Sequence, residues 1–184
     1  MPMNAPSADG LAKAAADGAR RGPAPVHLWN PPDCGAIDIR IARDGTWFHE
    51  GSPIGRPGLV RLFASILRLD PEGYVLVTPV EKVSIVVEDA PFVAVDVEAT
   101  PEGLLFRTNL DDEVLAGPDA PIRVERDEAT GEPRPYVTVR RNLEALIDRK
   151  TFYRLVDLAE EEEGALVVRS GGAAFPLGPA EAPA

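Results

Sequence analysis

Hydrophobic and polar positions alternate with two different periods along this chain. Ile37, Ile39 and Ile41 alternate with Asp38 and Arg40, the period-two pattern of a half-buried strand. Asp44-Gly45 is a hairpin signal, and Thr46–His49 resumes as the return strand. Before this pair, Val26–Cys34 is an irregular lead-in whose two prolines forbid a helix. The run Gly51–Gly58 breaks all regularity. Leu59, Leu62, Phe63, Ile66 and Leu67 then recur at helical spacing, with Pro57 suited to the first turn, and this helix is expected to run to the Asp70–Gly73 break. Short strands follow at Tyr74–Thr78, Lys82–Glu88, Phe92–Ala99 and Leu104–Leu110, read together as an antiparallel meander. In the third of these, Val93, Val95 and Val97 are set to one face and Ala94, Asp96 and Glu98 to the other. A polar stretch, Asp111–Pro135, carries one candidate strand at Ile122–Glu125. Tyr136–Arg140 is a strand, Arg149–Ala159 a helix ended by Glu160–Gly164, and Ala165–Arg169 the last strand.

Two segments match in register. Ile54–Phe63 and Ile147–Val156 both read I-x-R-x-x-Φ-Φ-R-L-Φ, where Φ is apolar or aromatic. Each is preceded by an alternating strand and followed by an acidic turn, a glycine (Gly73, Gly164) and a Val/Leu strand. A repeated β-β-α-β unit is the economical reading. It turns Asn142–Ile147, which could open a long helix, into a return strand and turn, with Asp148 as the cap of the helix that follows. The expected fold is therefore α+β, an internal duplication of a β-β-α-β unit with antiparallel sheets. The expected organisation is a mobile or loosely docked N-terminal tail over 1–25, with a short helix at Ser7–Arg20. A first repeat domain with its meander spans 26–110, a second repeat domain 111–178, and a frayed tail 179–184.

Composition narrows the partners. The 184 residues carry a net charge of −11, which argues against nucleic-acid polymers, since gripping a phosphate backbone needs clustered cations. Lysines occur only at 13, 82 and 150; the other cations are arginines, the better residue for bidentate grips on carboxylate or phosphate. Cys34 is alone, so no disulfide forms within the chain. His27 and His49 lack metal-ligand spacing, and no metal or cofactor is expected. Residues 1–25 lack the apolar core of a leader and no later run approaches a membrane span, so a soluble cytoplasmic protein is expected.

The candidate chemistry is anion binding. Helix starts present free N–H groups and partial positive charge. Arg56 and Arg149 stand at the two expected helix starts. Each also has a plain structural role, pairing with a nearby acid in a strand-to-helix turn. Thr78, Glu81 and Lys82 form a polar turn that is either part of a site or an exposed hairpin. Trp47 and Tyr153 offer stacking faces or, for Trp47, a core anchor. A duplication implies two lobes, and a seam between lobes is a favoured ligand position. Glu81, Glu88 and Asp96 are the carboxylates available to a hydrolase, though Glu88-Asp89 reads more simply as a turn. No Ser-His-Asp or Cys-His arrangement is present, and no catalytic residue is expected.

The runs Ile37–Pro57 (IDIRIARDGTWFHEGSPIGRP), Tyr74–Glu81 (YVLVTPVE), Val87–Asp96 (VEDAPFVAVD), Leu105–Asn109 (LFRTN) and Tyr136–Leu155 resemble the proteobacterial domain-of-unknown-function family 1285. The resemblance spans nearly all of the chain between its tails. It implies a domain duplication whose second half is superficially similar to pleckstrin-homology folds. It also implies a ligand site at the lobe interface, for something nucleotide-like, and a role in signalling; it carries no catalytic residues. The leading expectation is a regulatory ligand-binding module that is not an enzyme. Its anionic ligand is held by Arg56, Arg149, Lys82, Trp47, Glu81, Thr78 and Tyr153. The alternatives are a protein-interaction domain, or a homodimer, and, least favoured, a carboxylate hydrolase.

Overall fold

The computed structural model describes residues 5–18 and 24–180. These divide into two compact units, one ending at Asp89 and the other beginning at Ala90.

The first unit opens with helix α1 (Ala8–Gly18), one 3-10 turn at Val26–Leu28, and strand β1 (Asp33–Ile41). The chain continues through β2 (Trp47–His49), β3 (Ser52–Pro53), helix α2 (Pro57–Ser65), β4 (Leu67–Asp70), β5 (Gly73–Val77) and β6 (Lys82–Val87). Its six strands form one sheet in the order β3-β2-β1-β6-β5-β4, antiparallel except where β1 runs parallel to β6. The β2–β3 turn, Glu50-Gly51, has positive φ at both residues, the type I′ geometry that matches the twist of paired strands. Ile39 and Ile41 of β1 and Val83 and Ile85 of β6 bury the period-two face predicted by their alternation. Phe63 of α2 stacks on Trp47 of β2, and Leu11 and Ala15 of α1 are buried, where α1 packs on α2.

The second unit holds β7 (Phe92–Thr100), β8 (Gly103–Thr108), β9 (Glu113–Leu115), β10 (Ile122–Arg126), β11 (Pro133–Arg140) and β12 (Leu143–Ile147). Helix α3 (Arg149–Asp157) and strands β13 (Glu160–Glu162), β14 (Ala165–Ser170) and β15 (Ala173–Pro179) complete it. Strands β7–β12 form a second sheet, and β13–β15 a separate three-stranded one. The small sheet is tied down by Ser170. Its hydroxyl accepts from Leu104 N–H and donates to the Ala116 carbonyl, both at 2.7 Å. Gly171 lies so close to that carbonyl that a Cβ there would meet it at 2.7 Å.

The fold is α+β and duplicated, and the order β-β-α-β occurs in both halves. The sheets reveal a second frame. Adding six to each strand number of the first sheet gives β9-β8-β7-β12-β11-β10, which is the second sheet, including its one parallel pair, β7 with β12. In this frame α2 falls between the third and fourth strands, whereas α3 follows the sixth. The second half is therefore a six-stranded sheet followed by a helix.

Several expectations need correction. The domain boundary lies at 89/90 rather than 110/111, because β7 and β8 pair with β12 and β9 instead of extending the first meander. Residues 8–18 of the expected mobile tail form a docked helix; Ala19 and Arg20 of the expected helix lie outside the described residues. The helix begun at Pro57 ends at Ser65, because Leu67–Asp70 pairs with Gly73–Val77 and its apolar residues serve a strand. A bulge between Ala94 and Asp96 breaks the predicted alternation and leaves Ala94 fully buried. Glu160–Glu162 is a strand rather than a helix end, since Glu163-Gly164, both with positive φ, turn it back on β14. Ala165–Arg169 is not the last strand, because β15 follows it and buries Phe175 and Leu177. Its Pro176 is tolerated on an edge strand. Residues 181–184 lie outside the described residues. Asn142–Ile147 does form a return strand, and the Asp148 carboxylate accepts from Thr151 N–H at 2.8 Å.

Candidate functional site

The α2 start is open. Arg56 is its N-cap residue, with no side-chain cap, and Pro57 has no N–H to offer. The Arg56 carbonyl accepts from Leu59 and Val60 N–H at 3.1 and 3.2 Å, and the Gly58 N–H of the first turn has no acceptor among the described residues. A Cβ at Gly55 or Gly58 would meet nothing within 4 Å, so the loop stands clear of other groups. Arg56 is exposed, and its guanidinium has no partner among the described residues. Each remaining arginine of the described residues, Arg149 excepted, is engaged within the fold. Arg40 binds Glu88, Arg43 Asp89, Arg107 and Arg154 Asp96, Arg123 Glu144, Arg140 Asp112 and Arg169 Glu162.

At the Thr78–Glu81 turn the polar groups are satisfied by one another. Thr78 is buried; its Oγ1 accepts from Val80 and Glu81 N–H, and its own N–H donates to the Glu81 carbonyl at 2.9 Å. Lys82 lies beside this turn but directs Nζ at Asp70, 3.3 Å away. Asp70 also takes two hydrogen bonds from Arg68, at 2.6 and 2.9 Å, and Arg68 Nη1 donates to the Val26 and Trp29 carbonyls. Those Arg68 hydrogen bonds hold the Asp70 carboxyl below its ordinary range, against the opposing effect of burial, with Lys82 adding to them. This half-buried cluster joins β4, β6 and the lead-in. Arg68 and Asp70 were missed in the sequence because they sat in a segment assigned to a helix end.

Trp47 is core. It is 2% exposed, stacked on Phe63 with centroids 6.3 Å apart, and its Nε1 is buried without a partner. It presents no face to a ligand.

On α3, Arg149 is the first helical residue and exposed, and Tyr153, four residues on, is 60% exposed on the same face. The N-cap here is filled by the Asp148 carboxylate, a fixed negative charge where an anion would sit. Of the candidate hydrolase acids, Glu81 and Glu88 of the first unit do not come together. Glu81 and Glu88 flank opposite ends of β6, Glu88 is paired with Arg40, and Asp96 with two arginines. Among the described residues no cluster of three or more His, Cys, Asp or Glu could hold a metal ion, and no helix is long and apolar enough to cross a membrane.

Two family models cover the chain: domain of unknown function DUF1285, N-terminal domain, over residues 24–90, and the DUF1285 C-terminal domain over 91–177. Their junction falls one residue from the break between the two units. A crystal structure of a DUF1285 family protein from Silicibacter pomeroyi is 58% identical, with a TM-score of 0.86, covering 95% of this chain and 97% of that one. A DUF1285 family protein from Shewanella baltica is 30% identical, with a TM-score of 0.53, covering 65% of this chain and 90% of that one. No curated protein matches. The matched duplication, the shared boundary and these relatives make the chain a member of the DUF1285 family.

Proposed function

We propose that the protein is a cytoplasmic regulatory module that binds a small anionic ligand, taken first at the α2 start. One observation carries this reading. Among the described residues, the arginines at the two motif-matched helix starts are the ones left without a partner inside an otherwise fully paired set. An unpaired guanidinium beside a free N–H suits phosphate or carboxylate oxygens. The α2 start is the better of the two because no carboxylate occupies it. Lys82 and Thr78 are spent on internal contacts, Glu81 carries the same charge sign as an anion, and none of the three contributes a grip to this reading. A screen of inorganic pyrophosphate, nucleotides and small dicarboxylates by thermal shift tests it. A ligand at about a hundred times its Kd stabilises by about 2.7 kcal/mol, a shift of several degrees. The shift is expected to fall away in Arg56→Ala. No shift with any compound, or one unchanged in Arg56→Ala, contradicts the reading.

A further inference from the structure

Helix α3 is amphipathic in an unusual way: its outward stripe is segregated by charge along the axis. Arg149 and Lys150 stand at the start, Tyr153 at the middle, Asp157 at the end, and all are exposed. Glu160 and Glu161 follow, also exposed. Leu158, 45% exposed, adds an apolar edge beside Asp157. Arg149, Lys150, Tyr153 and Asp157 have no side-chain partner among the described residues. Arg154, at the centre, is held by Asp96 of its own chain and is not free to reach out. The inward side is narrow, with only Thr151 and Leu155 buried.

A stripe that is basic at one end and acidic at the other is complementary to itself when reversed. Two such helices laid antiparallel, centred on Tyr153, bring Arg149 and Lys150 of each against Asp157 of the other. Laid parallel, they bring like charges together. A two-fold axis perpendicular to the helix produces the antiparallel arrangement, and every contact then occurs twice. The opposed helix dipoles favour the same direction. The two Tyr153 rings would meet at the axis, where a large amphipathic side chain is suited to an interface centre.

We propose that the exposed face of α3 docks a second copy of this chain, as an antiparallel helix pair about a two-fold axis. This stands apart from the anion-binding reading, which rests on the α2 start. One short helix per copy gives an interface at the small end of the range, so the dimer is weak and salt-sensitive.

The test is sedimentation equilibrium of the full chain from micromolar to millimolar protein, at low and at high salt. The wild type is expected to dimerise at low salt. Arg149→Glu and Asp157→Arg each place two like-charge contacts in the interface, and each is expected to weaken dimerisation about tenfold. The double variant Arg149→Glu/Asp157→Arg exchanges the charges and is expected to restore the wild-type constant. A chain monomeric throughout the range, a dimer indifferent to both single changes, or a double variant no better than the singles overturns the proposal. Because these are exposed residues, circular dichroism is expected to show all variants folded.

Discussion

Helices α2 and α3 carry the same ten-residue motif, yet the protein uses them differently. Aligned on the motif, Val60 of α2 corresponds to Tyr153 of α3. Val60 is 8% exposed and Tyr153 60%. Leu62 is half-buried while its counterpart Leu155 is fully buried. Thr151 and Leu155, the buried residues of α3, correspond to Gly58 and Leu62, whereas α2 buries Val60, Phe63 and Ala64, so the two helices pack by nearly opposite faces. Their starts are offset by one residue: Arg56 is an N-cap, whereas Arg149 is the first residue inside its helix, behind the Asp148 cap. The difference follows from position in the strand order. α2 links two halves of its sheet and is covered in turn by α1, so it is apolar inward on two sides. α3 is attached after its sheet is complete and keeps a broad wet face. Similar sequence at this length specifies a helix; what the helix packs against decides which residues are core.

The largest effect expected from breaking this contrast is at the α2 packing. Trp47→Ala removes the ring stacked on Phe63 and should cost about 3–5 kcal/mol in urea unfolding. Tyr153→Ala on the wet face of α3 should stay within about 0.5 kcal/mol at monomer concentrations.

Next is the ion cluster peculiar to the first unit. Asp70→Asn leaves Arg68 and Lys82 without their carboxylate and should cost about 2–3 kcal/mol, somewhat less than a fully buried pair. Because the folded Asp70 has a depressed pKa, its stabilisation is fully present above the ordinary aspartate value. It is lost as pH falls from there through the folded value. Acid denaturation of the wild type should therefore be steeper in that window than that of Asp70→Asn.

The smallest effects concern the caps. Asp148→Ala should destabilise by about 1 kcal/mol, and Arg56→Ser, by supplying the cap that α2 lacks, should stabilise by a few tenths to about 1 kcal/mol. Equal and like-signed responses at the two positions would erase the distinction between the helix starts.

Much of this architecture was legible in residue order. The period-two runs located β1, β5, β6, β7, β8 and β11, and comparing the two motif copies found β12 and the Asp148 cap. The failures have physical causes. Ile66, Leu67 and Leu69 satisfy a helical period as well as a strand's, and only pairing with β5 decides between them. Four consecutive glutamates resemble a solvated helix end until the Glu163-Gly164 turn gives them a partner strand. The sheet-level frame of the duplication is invisible to a motif search, because it repeats strand pairing and not residues. For the site, sequence could place Arg56 and Arg149 at helix starts. It could not see that Lys82 is spent on Asp70, or that Trp47 faces inward; both are tertiary facts.

In the proposed function, the uncapped α2 start, with Arg56 and the Gly58 N–H, is the anion grip. The direct measurement is a titration of uniformly nitrogen-labelled protein with inorganic pyrophosphate, following backbone amide shifts. A saturable movement of the Gly58 amide is expected, abolished in Arg56→Ala and larger than any at Lys150. A Gly58 amide that stays still at saturating pyrophosphate, or movement confined to the α3 start, would contradict it.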